Sequence, residues 1–249
     1  MNSTPLLPNI SAIAQKATEI NNACVCPLTT LQPLDNSQSI VVNTQMLSSL
    51  KAEVLLAANN SRIYVIKNYC STNLYDFLNT LPFQIKPPIK LPFGAGIGHQ
   101  NRDIIFYSDE SEGYRYSGQM MPSVPLAGNA QGEFLLTLMR HVNSTLGTNF
   151  NGILINRYNS GQDHIGAHGD NERSLDKKTK AVASLSFGAE RKFRIRNKET
   201  KEIVMDIKTE QGMLLVMDGD TQLHYTHEIP VEKRIKEGRI SVTFRHHLE

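Results

Sequence analysis

The chain has 249 residues, which is enough for one sizeable domain with an appendage or for two small domains. Its hydrophobic content of 40% and charged content of 20% are those of an ordinary soluble globular protein, and its longest apolar runs are far too short to cross a bilayer. The net charge of +2 is too small to indicate a partner by itself.

The start of the chain lacks a basic stretch followed by an apolar core, so we expect no secretory signal. The three cysteines, Cys24, Cys26 and Cys70, are an odd number in a chain too large to need disulfides. We therefore expect reduced thiols in an intracellular protein, which would be nuclear if the source is eukaryotic and cytoplasmic otherwise.

Residues 1–58 differ in composition from the rest, with only five charged side chains and many Asn, Ser, Thr and Pro residues. Apolar residues at helical spacing predict a helix from about 45 to 58, and we expect the residues ahead of it to be poorly ordered or loosely packed. We predict an N-terminal extension over 1–58, one domain over 59–247 and a cloning remnant at 248–249.

Short β-type segments dominate the chain after residue 59. A strand over 62–66 and a short helix over 72–81 come first, and a longer helix is predicted over 132–145. The remaining segments are rich in Ile, Val, Phe and Tyr and end at Gly, Asn, Asp or Pro turns. They lie at 104–107, 153–158, 181–187, 191–196, 202–207, 212–217 and 239–246. Strands without alternating helices favour a sandwich or barrel over a parallel doubly wound sheet.

A glycine-rich stretch over 93–98 lacks the G-x-G-x-x-G spacing of a dinucleotide-binding loop. No helical pattern follows it, so we predict a flexible hairpin instead.

Basic residues concentrate in two parts of the chain. Nine lie between Lys177 and Lys201, and a second group comprises Lys233, Arg234, Lys236 and Arg239. Such concentrations are the footprint of a polyanion-binding surface, and a solvated face is the alternative interpretation.

The main chemical signal is His168-x-Asp170, followed later by His227. Two imidazole nitrogens and one carboxylate on one face of a metal leave three positions open, as in non-haem iron(II) oxygenases. On an extended segment His168 and Asp170 point the same way, and a jelly-roll barrel brings a third ligand from a distant strand. The pattern alone is common, so other residues must support it.

The last predicted strand supplies that support. Period-two alternation places Arg239, Thr243 and Arg245 on one face, and buried charges need partners. Two arginines that reach toward each other can grip both ends of a small dicarboxylate such as 2-oxoglutarate. Asn156 and Tyr158 share a face of another strand and offer an amide and a phenol to the same ligand. The alternative is a solvent-exposed edge strand.

Several long motifs carry a family resemblance. They are Phe150 to Tyr158, Gly161, Asp163 to Gly166, His168, Asp170, Glu172, Ala183 to Gly188, Arg191 with Phe193, His227 with Pro230, and Arg239 to Arg245. Over roughly 60–247 the chain resembles the AlkB family of nucleic-acid demethylases, in particular the eukaryotic-type AlkB homologue 2 and 3 group. The resemblance implies a mainly β fold with flanking helices (α+β), built as a double-stranded β-helix or jelly-roll barrel.

The resemblance also implies roles for individual residues. The Fe(II) ligands, which are also the catalytic residues, would be His168, Asp170 and His227. The 2-oxoglutarate contacts would be Asn156, Tyr158, Arg239, Thr243 and Arg245, with Arg239 on the distal carboxylate and Arg245 on the one beside the keto group. The substrate contacts would be Phe93 as an apolar wedge, Arg102 in a nucleotide-recognition lid, Tyr116 and Ser117 in the base pocket, Glu172 on the amino edge of the base, and Arg191.

The sequence departs from the family pattern in three places. One is His224-Tyr225-Thr226-His227, which replaces an aromatic residue just before the last metal ligand. Gly169 stands where repair relatives often have a bulky basic residue. The loop after Phe93 differs in length, which leaves the preference for duplex open.

The implied activity is Fe(II)-, 2-oxoglutarate- and O₂-dependent demethylation of bases such as 1-methyladenine and 3-methylcytosine in DNA, by direct reversal of damage. The implied partner is nucleic acid, DNA rather than RNA, and we expect a monomer without membrane association. The alternatives are an RNA demethylase on the same scaffold, a protein hydroxylase, and a non-catalytic nucleic-acid-binding barrel.

Overall fold

The structure is a computed structural model that describes residues 48–90, 95–116, 119–170, 175 and 181–248, with only the backbone of Tyr116. Two antiparallel sheets and two hairpins form most of this part. No helix within these residues has both the length and the apolar character that crossing a bilayer requires.

The larger sheet has seven strands in the spatial order β1-β2-β13-β10-β15-β8-β5. In chain order these are β1 (Glu53–Ala58), β2 (Ser61–Ile66), β5 (Asp103–Tyr107), β8 (Gly152–Tyr158), β10 (Val182–Gly188), β13 (Leu214–Gly219) and β15 (Arg239–Arg245).

The smaller sheet has four strands in the order β12-β11-β14-β9. These are β9 (Ile165–His168), β11 (Arg191–Asn197), β12 (Ile203–Thr209) and β14 (Tyr225–Ile229). The two hairpins pair β3 (Pro88–Lys90) with β4 (Ile97–His99) and β6 (Gly113–Tyr116) with β7 (Gln119–Pro122). The helices are α1 (Tyr75–Asn79), α2 (Ala130–Leu146) and α3 (Thr221–His224).

Strand β15 lies near the centre of the larger sheet and shows how the sheet is used. Ile240, Val242 and Phe244 are fully buried in a core with α1 and α2. A second apolar cluster joins the two sheets. It contains residues of β2, β10 and β13 of the larger sheet and of β11, β12 and β14 of the smaller sheet, and Ile165 of β9 packs against it. The two sheets therefore face each other, and the polar face of β15 points into the space between them.

Helix α2 covers the outer face of the larger sheet. Asn129 caps its start by accepting a hydrogen bond from the Gly132 amide, and Gly147 ends it in the left-handed conformation (φ 65°). The buried side chains of α2 recur three or four residues apart, as the sequence predicts.

The mainly β, jelly-roll fold class is confirmed, and all seven strands predicted from 104 onward form within two residues of the predicted bounds. The hairpin predicted at 93–98 agrees with the pairing of β3 and β4, although 91–94 lie outside the described residues.

The helix predicted over 45–58 is wrong from Glu53 onward. This segment is strand β1, joined to β2 by Asn59 and Asn60, both at positive φ (50° and 55°). Asparagine tolerates this conformation, which a two-residue hairpin turn requires. The larger sheet therefore begins at Glu53, ahead of the predicted domain start at 59.

Candidate active site

The pairing of β9 with β14 assembles a group of three possible metal ligands. His168 and His227 are register partners across the two strands, and Asp170 lies just beyond the end of β9. One Asp170 oxygen is 3.8 Å from His168 Nε2 and the other is 3.7 Å from His227 Nε2. One ligand atom from each residue can be chosen so that all lie within 4.8 Å of one another, which fits a single ion.

The Asp170 carboxylate is almost fully buried and strongly supported. Arg245 Nη2 donates to its Oδ1 at 2.7 Å, and the Gln222 side-chain oxygen accepts from the Asp170 amide at 2.8 Å. Burial alone would raise the pKa of this carboxyl, but Arg245 and then the two histidines hold it below its usual value. Its Oδ2 has no hydrogen-bond partner within the described ranges. An ionised oxygen left unpaired between two imidazoles fits a bound cation.

Both imidazoles are held in the form that binds metals. His168 Nδ1 donates to the Gly166 carbonyl at 2.8 Å, which leaves Nε2 as the free lone pair. The His227 ring stacks on Phe193, with centroids 5.0 Å apart and planes 11° apart. Burial lowers the pKa of His168, and burial followed by repulsion from His168 lowers that of His227 to about 3. The neutral rings can therefore coordinate at neutral pH.

A cavity between the two sheets extends from these ligands along the polar face of β15. Strands β8 and β15 supply its polar walls, and Ile165, Val182, Phe193, Met217 and Ile229 supply apolar ones. The lining includes every predicted cosubstrate residue, namely Asn156, Tyr158, Arg239, Thr243 and Arg245.

Arg239 lies at the opposite end of β15 from Arg245, about 20 Å away at the rise of an extended strand. It is fully buried, donates to Ser186 Oγ at 2.9 Å, and lies 5.5 Å from the centroid of the Tyr158 ring. No carboxylate in the described part of the chain forms an ion pair with it. Burial lowers its pKa to about 10, so it keeps its charge at neutral pH. A buried cation without an acidic partner fits an anionic ligand.

Arg245 links the metal-ligand group to the cavity. Its guanidinium donates to Asp170 and, at 3.2 Å, to the Tyr114 hydroxyl, and it also lines the cavity. Its contact with a cosubstrate carboxylate stays a prediction.

Arg102 is buried beside Asn156, and its Nε donates to Asn156 Oδ1 at 2.7 Å. A residue predicted to read the nucleotide thereby contacts one predicted to bind the cosubstrate. The sequence does not indicate this contact, because Arg102 lies just before β5 and Asn156 lies on β8, far away in the chain.

Arg191 does not line this cavity. Its side chain is fully buried and donates to the carbonyls of Ser160, Asp163 and Pro230 and to the Glu232 carboxylate. The guanidinium is thus used to join two loops. Phe93, Ser117, Glu172 and the side chain of Tyr116 lie outside the described residues.

Three supporting residues were missed by sequence reasoning: Tyr114, Phe193 and Gln222. Each acts on a partner far away in the chain, so no local pattern marked them. Phe193 is in one of the motifs that carry the family resemblance, and Tyr114 lies two residues before Tyr116, which the resemblance assigns to the base pocket.

The predicted basic surface over 177–201 is largely neutralised where it is described. Arg194 forms a bidentate pair with Asp206 at 2.7 and 2.9 Å, and Arg196 pairs with Glu228 at 2.9 Å. Lys233, Arg234 and Lys236 of the second group are exposed, whereas Arg239 is buried. Exposed basic side chains without an ion pair among the described residues therefore lie at the 233–236 loop, whereas those of β11 are paired with acids.

Comparison with known proteins agrees with this geometry. The 2OG-Fe(II) oxygenase superfamily matches residues 100–245. The DNA oxidative demethylase ALKBH2 of Homo sapiens is 36% identical over 149 residues, covering 56% of this chain and 54% of that protein. The alpha-ketoglutarate-dependent dioxygenase alkB homolog 3 of Bos taurus is 38% identical over 119 residues, covering 45% and 41%. The solved structure of OsALKBH1 aligns with 70% of this chain and 90% of that one, at a TM-score of 0.45 and 16% identity.

The chain spans about half the length of the curated relatives that it matches. These relatives are AlkB homologues, which confirms the resemblance stated from the motifs. The matched range contains the three ligand candidates and both cavity arginines, and the chain belongs to the 2OG-Fe(II) oxygenase superfamily.

Proposed function

We propose that the protein is an Fe(II)- and 2-oxoglutarate-dependent dioxygenase that removes alkyl groups from damaged bases in DNA. The observation that carries this proposal is one continuous cavity. It begins at a buried His–Asp–His group with an unpaired carboxylate oxygen and ends at Arg239, a buried cation that forms no ion pair within the described ranges.

Each end of the cavity suits one component. His168, Asp170 and His227 would hold iron, and Arg239, with the Tyr158 ring beside it, would receive the distal carboxylate of 2-oxoglutarate. Asn156 and Thr243 line the space between, and Arg245 holds Asp170 in place. Iron with 2-oxoglutarate and O₂ supplies the oxidant that hydroxylates an N-alkyl carbon, after which the alkyl group leaves as an aldehyde.

A nucleic-acid substrate is supported by the relatives and by the surface. The name of the human relative states oxidative demethylation of DNA, and the 233–236 loop exposes three cations suited to phosphates. Glu172 would face a flipped, positively charged base such as 1-methyladenine or 3-methylcytosine, because a carboxylate stabilises that charge. Phe93 would occupy the vacated place in the duplex, with Tyr116 and Ser117 in the base pocket. We propose that the enzyme acts as a monomer, on DNA in preference to RNA.

The test is mass spectrometry of methylated oligonucleotides after incubation with iron(II), ascorbate and 2-oxoglutarate. We expect loss of one methyl group with the wild-type protein and none with His168→Ala. Parallel reactions on single-stranded DNA, duplex DNA and RNA rank the substrates. Unchanged oligonucleotides, or equal turnover by His168→Ala, would refute the proposed function, and faster turnover of RNA would replace DNA by RNA.

A further inference from the structure

Two buried carboxylates, Asp103 and Asp163, lie at the foot of the β3–β4 hairpin; we call them the carboxylate pair. Both are at most 4% exposed. Asn159 bridges them, since its Nδ2 donates to Asp103 at 2.8 Å and to Asp163 at 3.3 Å. Lys86 also joins them, with its backbone amide 3.1 Å from Asp103 Oδ1 and its Nζ 2.8 Å from Asp163 Oδ1.

Arg157 completes the charge balance of this cluster. Its Nη2 lies 2.9 Å from Asp103 Oδ2, and its guanidinium lies 4.4 Å from the centroid of the Phe83 ring. Two buried anions thus face two cations. Removal of one cation leaves a buried carboxylate without its partner, which folded proteins tolerate poorly.

The cluster connects the hairpin to both parts of the candidate active site. Arg157 lies on β8 between Asn156 and Tyr158, which line the cavity. Asp163 lies two residues before β9, the strand that ends at His168. The other side of the hairpin foot is held as well, because the His164 amide donates to the Asn101 carbonyl at 3.0 Å.

The backbone conformation of Lys86 indicates that the carboxylate pair fixes the start of the β3–β4 hairpin in place. Lys86 has a φ of 40°, in the left-handed region that residues with a Cβ rarely adopt. Its two bonds to the carboxylate pair hold this conformation at the point where the chain turns into β3. Loss of the side-chain bond would let the backbone relax and the hairpin change its direction.

We propose that Lys86 is a positioning residue for the nucleic-acid substrate, which acts by fixing the β3–β4 hairpin relative to β9 through the carboxylate pair. The inference rests on the proposed function, since it takes nucleic acid to contact the hairpin. The hairpin suits that contact because Ile97 is 69% exposed and Lys90 is exposed, so it offers an apolar surface to bases and a cation to phosphates.

The kinetic test compares Lys86→Met, Lys86→Arg and Lys90→Met. The Lys86 side chain is 46% exposed, and Asp163 keeps its hydrogen bonds from the Asn159 amide and Nδ2, so we expect the Lys86 variants to fold. We expect Lys86→Met to raise the KM for a methylated oligonucleotide about five- to tenfold, as for loss of one charge-assisted hydrogen bond, with kcat within about twofold. Lys86→Arg restores the KM, and the KM for 2-oxoglutarate is unchanged throughout.

Lys90→Met is the comparison variant on the same hairpin, and its effect on the KM should shrink at high salt because Lys90 is exposed and suited to phosphates. The effect of Lys86→Met should persist at high salt, because Lys86 acts through the buried carboxylate pair. Equal, salt-sensitive rises in the KM of both Met variants, an unchanged KM in Lys86→Met, or failure of Lys86→Arg to restore it would overturn the proposal.

A second measurement needs no catalysis. The chain has no tryptophan, so Ile97→Trp places a single fluorophore on β4. We expect lower fluorescence anisotropy when Lys86→Met is added to this background and no change when Lys90→Met is added. Equal anisotropy in all three proteins would contradict the proposed role of Lys86 in fixing the hairpin. If the wild-type protein failed to demethylate any oligonucleotide, the proposed function would fail while this measurement still decided the role of Lys86.

Discussion

Arg239 shows how a single residue can indicate a ligand. A fully buried guanidinium whose hydrogen bonds go to a neutral hydroxyl, and which has no ion pair within the described ranges, has lost hydration without gaining an opposite charge. The charge is useful only if a carboxylate enters the cavity, as 2-oxoglutarate would.

Replacement of Arg239 by Lys should therefore impair cosubstrate binding, because an ammonium cannot form the bidentate contact. We expect the KM for 2-oxoglutarate to rise about 10- to 100-fold, as for loss of a charged hydrogen bond, with a smaller effect on the KM for the oligonucleotide. Succinate formation at varied 2-oxoglutarate measures both. Lys236→Met removes an exposed cation as a control, and an equal effect there would contradict the assignment.

Gln222 supports the metal site from outside the ligand group. Its side-chain oxygen accepts from the Asp170 amide, while its Nε2 lies 3.5 Å from the Met217 sulfur. Gln222→Leu leaves the Asp170 amide unsatisfied, and we expect metal affinity to fall about 10-fold, as for other outer partners of metal ligands. Calorimetric titration with Co(II) checks this. Gln222→Glu keeps the acceptor and serves as the control, and equal affinity in wild type and Gln222→Leu would rule out this support.

His247 makes stability depend on pH. Its ring packs 4.9 Å from Phe106, and neither nitrogen has a hydrogen-bond partner within the described ranges. Burial, with Arg245 nearby, lowers its pKa to about 4. The unfolded chain, with a pKa of about 6.5, takes up the proton first, so stability present above pH 6.5 is lost as the pH falls toward 4.

At about 1.4 kcal/mol per pKa unit, the loss attributable to His247 is at most roughly 3 kcal/mol. We expect the urea midpoint of wild type to fall more than that of His247→Leu when the pH is lowered from 7.5 to 5. His99→Leu, a substitution at an exposed position, is measured in the same way for comparison. Equal changes in the urea midpoints of wild type and His247→Leu between the two pH values would contradict this role of His247.

At the scale of elements, strand pairing places the chemistry. The register of β9 against β14 sets His168 opposite His227, and a shift by one residue would turn one imidazole to the other face of the sheet. The loop before β9 must therefore be held in a fixed position. Gly161 contributes to this, since its amide donates to the Ile235 carbonyl at 2.9 Å and its carbonyl accepts from the Glu232 amide at 2.8 Å.

Gly161→Ala tests the seating of this loop. An added Cβ would overlap the Glu232 carbonyl oxygen, and backbone cannot move aside as a flexible side chain does. We expect a loss of roughly 2 kcal/mol in the free energy of unfolding, in the range for overpacking. Gly166→Ala is the matched control, because nothing lies within 4 Å of its added Cβ. Urea unfolding compares the two, and equal stability would refute the close contact.

At the scale of the whole molecule, the larger sheet separates two apolar clusters. The cluster with α1 and α2 stabilises its outer face, and the cluster with the smaller sheet closes the cavity. His227 projects from β14, whose alternate residues are buried, and His168 from the edge strand β9, which pairs with β14. Such a scaffold holds them in place before any ligand binds.

Much of this organisation could be predicted from local sequence. Alternation along 239–245 correctly assigned its two faces, and residue chemistry selected His168, Asp170 and His227, which the structure brings together. Local sequence failed at 53–58, where helical spacing of apolar residues was outweighed by pairing with β2. It also failed to show that the basic side chains of β11 pair with acids on neighbouring strands.

The sequence by itself determined seven of the strands after residue 102 and which residues can bind a metal and a dicarboxylate, because periodicity and donor type are properties of neighbouring residues. It did not mark β1, β9 or β14 as strands. Only the tertiary structure decided which of these residues meet. It paired Arg245 with Asp170, Arg102 with Asn156 and Lys86 with Asp163. These contacts join residues 54 to 77 positions apart, and their energies depend on burial and register, which exist only once the two sheets have packed.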